Sequence, residues 1–205
     1  SLLTYALGAL CALAALPVLV LCSQVLLAHG GRRAPAAAAP RRSDTEVAVL
    51  VPAHNEAAGI AATLRGLKAQ LRAGDWLLVV ADNCSDDTAA VARLAGADVI
   101  ERSDTQRRGK GFALDFGVRH LSARPPAVVL IVDADCLLDA GALDTLVGLC
   151  NSTGRPVQAL YEMNAPAGSG LRARVSAFAW RVRNRVRPLG WWTIGAPCQL
   201  MGTGM

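Results

Sequence analysis

Asp133 and Asp135 flank Ala134 directly after an apolar run, residues 128–132. That run has the length and content of a fully buried strand. Two carboxylates at the end of such a strand are costly unless they are paired or bind a cation. Side chains two apart on an extended segment point the same way, so the two can share one cation. Hard carboxylate oxygens suit Mg²⁺ or Mn²⁺, which in turn can neutralise a diphosphate. Polar groups recur after other apolar runs. Pro52, Ala53, His54, Asn55 and Glu56 follow residues 47–51, and Asp82 and Asn83 follow residues 77–81. Lys110 sits between Gly109 and Gly111, where the glycines let backbone approach a ligand and the ammonium can meet phosphate.

These side chains need a scaffold, and hydrophobic periodicity supplies its outline. Ile60, Leu64, Leu67 and Leu71 follow helical spacing after the first apolar run. Ser85 is expected to cap a second helix, with Asp86 and Asp87 in its first turn. Residues 98–100 read as a short strand and 113–121 as a helix. After the strand that ends at Asp133, 141–150 read as a helix and 157–161 as another strand. Alternating strands and helices with continuous apolar strands predict an α/β fold, a mostly parallel sheet with helices on both faces. In open α/β sheets, ligands bind outside the carboxyl ends of the strands. The clusters at 52–56, 82–83 and 133–135 would therefore converge on one edge, as a nucleotide diphosphate requires.

The front of the chain differs in kind. From Leu2 to Ala28 no side chain is charged, and about 20 apolar residues suffice to cross a bilayer. Residues 1–29 are expected to form one transmembrane helix, with Pro17 as a kink. A signal peptide would carry a basic start and a shorter apolar core. Residues 30–45 read as an Ala/Pro-rich basic linker. Its Arg32, Arg33, Arg41 and Arg42 put that side of an inner or plasma membrane in the cytoplasm by the positive-inside rule. The net charge of +5 owes much to them and suggests membrane lipids as a partner. No aromatic-basic motif supports nucleic-acid binding. Six cysteines without a CxxC pair argue against a zinc or disulfide framework and fit a reducing cytosol.

Four ordered segments carry a family resemblance: residues 51–56 (VPAHNE), 80–88 (VADNCSDDT), 108–114 (RGKGFAL) and 133–135 (DAD). Together they resemble the GT-A-fold glycosyltransferases of family 2, in the membrane-anchored branch that makes bacterial polysaccharides. The resemblance extends over residues 46–205 and implies a GT-A (Rossmann-like) domain there. It implies that Pro52, Ala53 and Glu56 line the nucleoside pocket, that Asp82 reads the uracil imide, and that Lys110 meets the diphosphate. Asp133 would contact ribose or metal and Asp135 the metal, Mg²⁺ or Mn²⁺. The implied partners are a nucleotide-sugar donor, a UDP-sugar, and a glycan or lipid-linked acceptor.

An inverting transferase needs a carboxylate to deprotonate its acceptor. In the family it lies in an acidic motif well downstream of the DxD, whereas Glu162 is the only acidic residue after Asp144. The resemblance therefore implies that the catalytic base lies beyond Met205, with further membrane helices, and that this chain is truncated. A non-catalytic sugar-nucleotide-binding membrane protein and a nucleotidyltransferase remain the alternatives. Finally, Val175, Phe178, Ala179, Val182 and Val186 make an apolar stripe among Arg172, Arg174, Arg181, Arg183, Arg185 and Arg187. Such a basic amphipathic helix suits either a membrane surface or packing on the sheet.

Overall fold

A computed structural model describes residues 2–30, 44–166, 168–197, 200 and 202–205. Most of the expected basic linker, with Arg32, Arg33, Arg41 and Arg42, lies outside the described residues, as does Cys198. The chain forms two compact units, Ser1–Ala36 with Leu160–Leu200, and Ala37–Ala159 with Met201–Met205.

The second unit holds the sheet. Its strands are β1 (Val47–Ala53), β2 (Trp76–Asp82), β3 (Asp98–Arg102) and β4 (Val128–Ile131), all parallel, in the order β3-β2-β1-β4. The chain adds β2 and β3 on one side of β1 and then crosses to place β4 on the other. The strand order thus reverses between β1 and β4, where parallel sheets open a crevice at their carboxyl ends. Numbering of the first helix as α1 (Leu2–Gly30) makes those of this unit α2 (Ile60–Lys68), α3 (Thr88–Leu94), α4 (Lys110–Leu121) and α5 (Ala142–Thr153).

Alternation along β1 and β2 sends even-numbered side chains to one face and odd-numbered ones to the other. Ala48, Leu50, Leu78 and Val80 cluster with Ala113 and Leu121 of α4. Val49, Val51 and Val79, on the opposite face, are equally inaccessible to water. A continuous apolar strand is the result, because both faces are covered. At Gly117 the approach of α4 leaves no room for a side chain: a Cβ would stand 2.5 Å from Leu50 Cδ1 and 3.0 Å from Val80 Cγ2.

Three local expectations are corrected. Residues 157–161 form no strand. Instead Ala159 N–H donates to Gly204 O (2.6 Å), while Ile131 N–H donates to Met205 O (2.8 Å) and Gly204 N–H to Ile131 O (2.7 Å), so residues 204–205 flank β4. Asp87, not Ser85, stands at the N-cap of α3, and its neighbour Asp86 accepts the Thr88 amide (3.0 Å). β4 is only half-buried except at Leu130, since it lies at the end of the strand order rather than inside it.

The first unit is helical. Besides α1 it contains α6 (Leu171–Arg181), a π-helical turn over Val182–Val186, and α7 (Arg187–Thr193). α1 is apolar all round and is long enough to cross a membrane. The wide turn at 182–186 buries Asn184, whose Nδ2 donates to Tyr161 O (3.0 Å), and the Tyr161 and Trp180 rings meet edge to face at 5.5 Å.

Candidate functional site

The carboxyl ends of β1, β2 and β4 surround a cleft of about 480 Å³. Pro52, Ala53, Glu56, Asp82, Lys110, Asp133 and Asp135, all singled out in the sequence, line it together. His54, Asn83 and Arg108 line it too.

Side-chain bonds tie the loop after β1 to the loop after β2. Asn55 takes a left-handed backbone (φ 56°), a conformation that Asn tolerates better than most residues, and its Oδ1 accepts the Ser85 amide at 2.7 Å. Glu56 N–H donates to Thr88 Oγ1 (2.8 Å) and Ala57 N–H to Asp86 Oδ2 (3.1 Å). His54 Nδ1 meets the Asp82 carbonyl at 2.7 Å, which makes it a tether between the loops. Asp86 serves the same staple, and the Thr88 hydroxyl holds its carboxyl below the usual carboxylate range.

Asp82 is buried at the end of β2, and its Oδ1 accepts from Arg102 Nη1 (2.7 Å) and Asn83 Nδ2 (2.9 Å). Arg102 closes β3, and its Nη2 reaches Asp104 Oδ2 at 3.0 Å. The same guanidinium lies 5.7 Å from the centre of the Phe112 ring. Asp104 accepts the amides of Gln106 and Arg107, and chiefly the Arg107 amide draws its carboxyl below the ordinary value. One nearly buried arginine thus satisfies two carboxylates and orders the turn that leads to α4. Arg102 was not singled out in the sequence. Only its place at the end of a short strand, level with Asp82 in the register, marked it.

Gly109 precedes α4 with φ 114°, a backbone that L side chains rarely adopt. This turn delivers Lys110, whose ammonium pairs with Asp133 Oδ1 and donates to Gly202 O (2.6 Å). Asp133 N–H donates in turn to Thr203 Oγ1 at 3.0 Å. Gly202 and Thr203 were not singled out as site residues in the sequence.

Oxygens of Asp133 and Asp135 and the sulfur of Cys136 lie within 4.8 Å of one another. Their approach has a different cause from the expected one. Residues 134–135 form a turn, in which Cys136 N–H donates to Asp133 O (3.1 Å), so the carboxylates converge by chain reversal and not by strand alternation. Two carboxylates at this separation fit a hard divalent cation. Cys136 is buried, and its thiol contacts Asp135 and Thr203, as a packed thiol does. The cleft therefore offers carboxylates near three strand ends, Glu56, Asp82 and the Asp133–Asp135 pair, together with the cations Lys110 and Arg108. That distribution suits a ligand with a hydrogen-bond-donating head and an anionic tail.

Comparison with known proteins gives three findings. A sequence profile described as glycosyl transferase family 2 matches residues 48–200. Uncharacterized glycosyltransferases of Mycobacterium tuberculosis and Mycobacterium bovis are 36% identical over 148 residues, which is 69% of this chain and 61% of each relative. The chain thus spans about three fifths of the length of these relatives. A mannosyltransferase from Pyrobaculum calidifontis, solved with GDP-Man and Mn²⁺, superposes with a TM-score of 0.55 at 28% identity, over 68% of this chain and 42% of its own.

Proposed function

This chain belongs to glycosyl transferase family 2, and from that premise we propose that its cleft serves the transfer of a sugar from a nucleotide-sugar donor to an acceptor hydroxyl. The observation that carries it is the meeting of Glu56, Asp82, Lys110, Asp133 and Asp135 around one cleft at the reversal of strand order. In the proposed donor complex, Asp82 accepts from the imide N–H of uracil, while Arg102 holds the other side of its carboxylate in place. Glu56 accepts from ribose hydroxyls, with Pro52 and Ala53 against the nucleoside. Lys110 leaves its pairing with Asp133 to meet the diphosphate.

Asp133 and Asp135 would hold Mg²⁺ or Mn²⁺, as their hard oxygens and separation allow. Bound there, the cation would supply charge neutralisation for the departing nucleoside diphosphate. The Pyrobaculum enzyme's GDP-Man and Mn²⁺ support a nucleotide-sugar and metal site of this kind. Guanine also offers ring N–H groups to a carboxylate, so UDP-sugar is the proposed donor and GDP-sugar the competitor to be tested.

The proposed setting is a membrane. α1 would span it, and the cytoplasmic side would hold the cleft, in keeping with Arg32, Arg33, Arg41 and Arg42. A glycan or lipid-linked acceptor in cell-surface polysaccharide synthesis fits that setting. Product analysis tests the reaction class. Membranes carrying the full-length protein, given Mn²⁺, UDP-sugars and lipid extract, are expected to release UDP and glycosylate an acceptor. Release of UMP or of sugar 1-phosphate instead would mean attack at phosphorus and would overturn the assignment.

A further inference from the structure

We propose that α6, the π turn and α7 lie on an anionic bilayer surface at the end of α1, where their arginines take the phosphates of lipid headgroups. This rests on α1 spanning a bilayer, as proposed above, and goes beyond it by assigning a lipid-binding surface.

Depth along α1 comes first. Residues 6–22 contain no polar side chain, and Ser23 and Gln24 end that run. Leu2 to Gln24 covers about 33 Å at the helical rise per residue, close to the ~30 Å of a hydrocarbon core. Gln24 therefore marks the level at which hydrocarbon gives way to headgroups. α7 docks at this level. Arg187 Nε donates to Gln24 Oε1 at 2.9 Å, and Gln24 is wholly buried. Gly190 admits this docking, because a Cβ there would collide with the backbone of Gln24. A helix fixed to α1 at this depth stands at the level of the interface.

Its surface has the matching chemistry. Leu171, Val175 and Phe178, spaced by four and three, stand 76%, 55% and 69% exposed on one face of α6. Trp192, at the far end of the segment, is also exposed, and Trp favours the headgroup level. Arg172, Arg174, Arg181, Arg183, Arg185 and Arg187 accompany this stripe, and residues 160–200 contain Glu162 as their only acid. Glu162 lies 3.9 Å from Arg181 and 3.6 Å from Arg185. Arg172, Arg174 and Arg183 form no ion pair among the described residues. Apolar side chains with flanking arginines are how an interfacial helix buries one face and keeps its charges at the phosphates.

The test places the 205-residue chain in nanodiscs of phosphatidylcholine alone and of phosphatidylcholine with phosphatidylglycerol. Amide hydrogen exchange over 171–181 is expected to slow by roughly tenfold or more in the anionic discs, and to lose that difference in high salt. Changing Arg172, Arg174 and Arg183 together to Gln should abolish the difference, and changing them to Lys should keep it. Equal exchange in both discs, or a Gln variant that retains the protection, would overturn the proposal. So would equal protection in neutral discs by soluble glycerol phosphate. Carbonate extraction from vesicles separates the premise. Extraction of the chain would overturn the span and this surface with it, whereas resistance to carbonate with lipid-indifferent exchange would overturn the surface alone.

Discussion

Arg102 is the residue on which the order of the cleft turns. It satisfies Asp82 and Asp104 from a nearly buried position, its own side chain only 10% exposed. Removing one partner of a buried pair leaves an uncompensated charge, which typically costs about 3–5 kcal/mol. Arg102→Met is therefore expected to lower unfolding stability by an amount of that order, measured by urea denaturation, while Arg93→Met, at an exposed pair, changes it by less than about 1 kcal/mol. Equal small effects would show that Asp82 is held by something else. Asp82 carries a second expectation, that Asp82→Asn narrows the preference for UDP over CDP, because a carboxylate repels the acceptor-rich edge of cytosine. An unchanged preference in competition binding would remove it from the base pocket. Asp82, Lys110, Asp133 and Asp135 were legible because each interrupts an apolar or glycine context where a charge needs a reason. Arg102 was not, since a lone arginine after a short strand reads as solvated surface until the register shows it level with Asp82.

At the scale of elements, the fit of α4 on the sheet and the turn before it govern where Lys110 stands. Gly117→Ala would drive a methyl group into Leu50 and Val80. Overpacking of this kind costs about 1–3 kcal/mol, and it should show as a lower denaturation midpoint. A neutral result would mean that α4 can lift from β1 and β2 without cost. The turn at 104–107 depends on pH in a defined direction. The Asp104 carboxyl is held below its ordinary value, chiefly by the Arg107 amide and also by the Gln106 amide and the charge of the Arg102 guanidinium. Its stabilisation is thus complete above the unfolded value of about 4, and it is lost as pH falls through the lower folded value. The Gln106 and Arg107 amides should remain protected from exchange, relative to intrinsic rates, at pH 5 and lose that protection as the carboxyl protonates. Protection that persists below the carboxyl's own titration, followed by NMR, would contradict this. The strands were legible from their apolar runs. Residues 157–161 were misread as a strand because their apolar content resembles one, whereas the Ala159 amide and the Gln158 side chain bond residues 203–204, a pairing that no local pattern encodes.

The whole molecule joins an apolar helix and its basic partner helices in one unit to a parallel sheet with a ligand cleft in the other. The fold class was legible because strand and helix periods alternate from β1 to α5. The grouping of 160–200 with α1 was not, because it depends on Gln24, Arg187 and Gly190 meeting across more than 160 residues of chain. The proposed function stands on the cleft as a metal-dependent nucleotide-sugar site, and calorimetry tests it most directly. UDP-glucose and GDP-mannose would be titrated into the chain with Mn²⁺ and with chelator, for wild type and for Asp135→Asn, whose fold would be verified by circular dichroism. Wild type is expected to bind the uridine donor more tightly and only with Mn²⁺, and Asp135→Asn to lose about 2–5 kcal/mol of that metal-dependent affinity. Binding of neither donor, or binding that is equal with chelator and unchanged in Asp135→Asn, would contradict the assignment of this cleft.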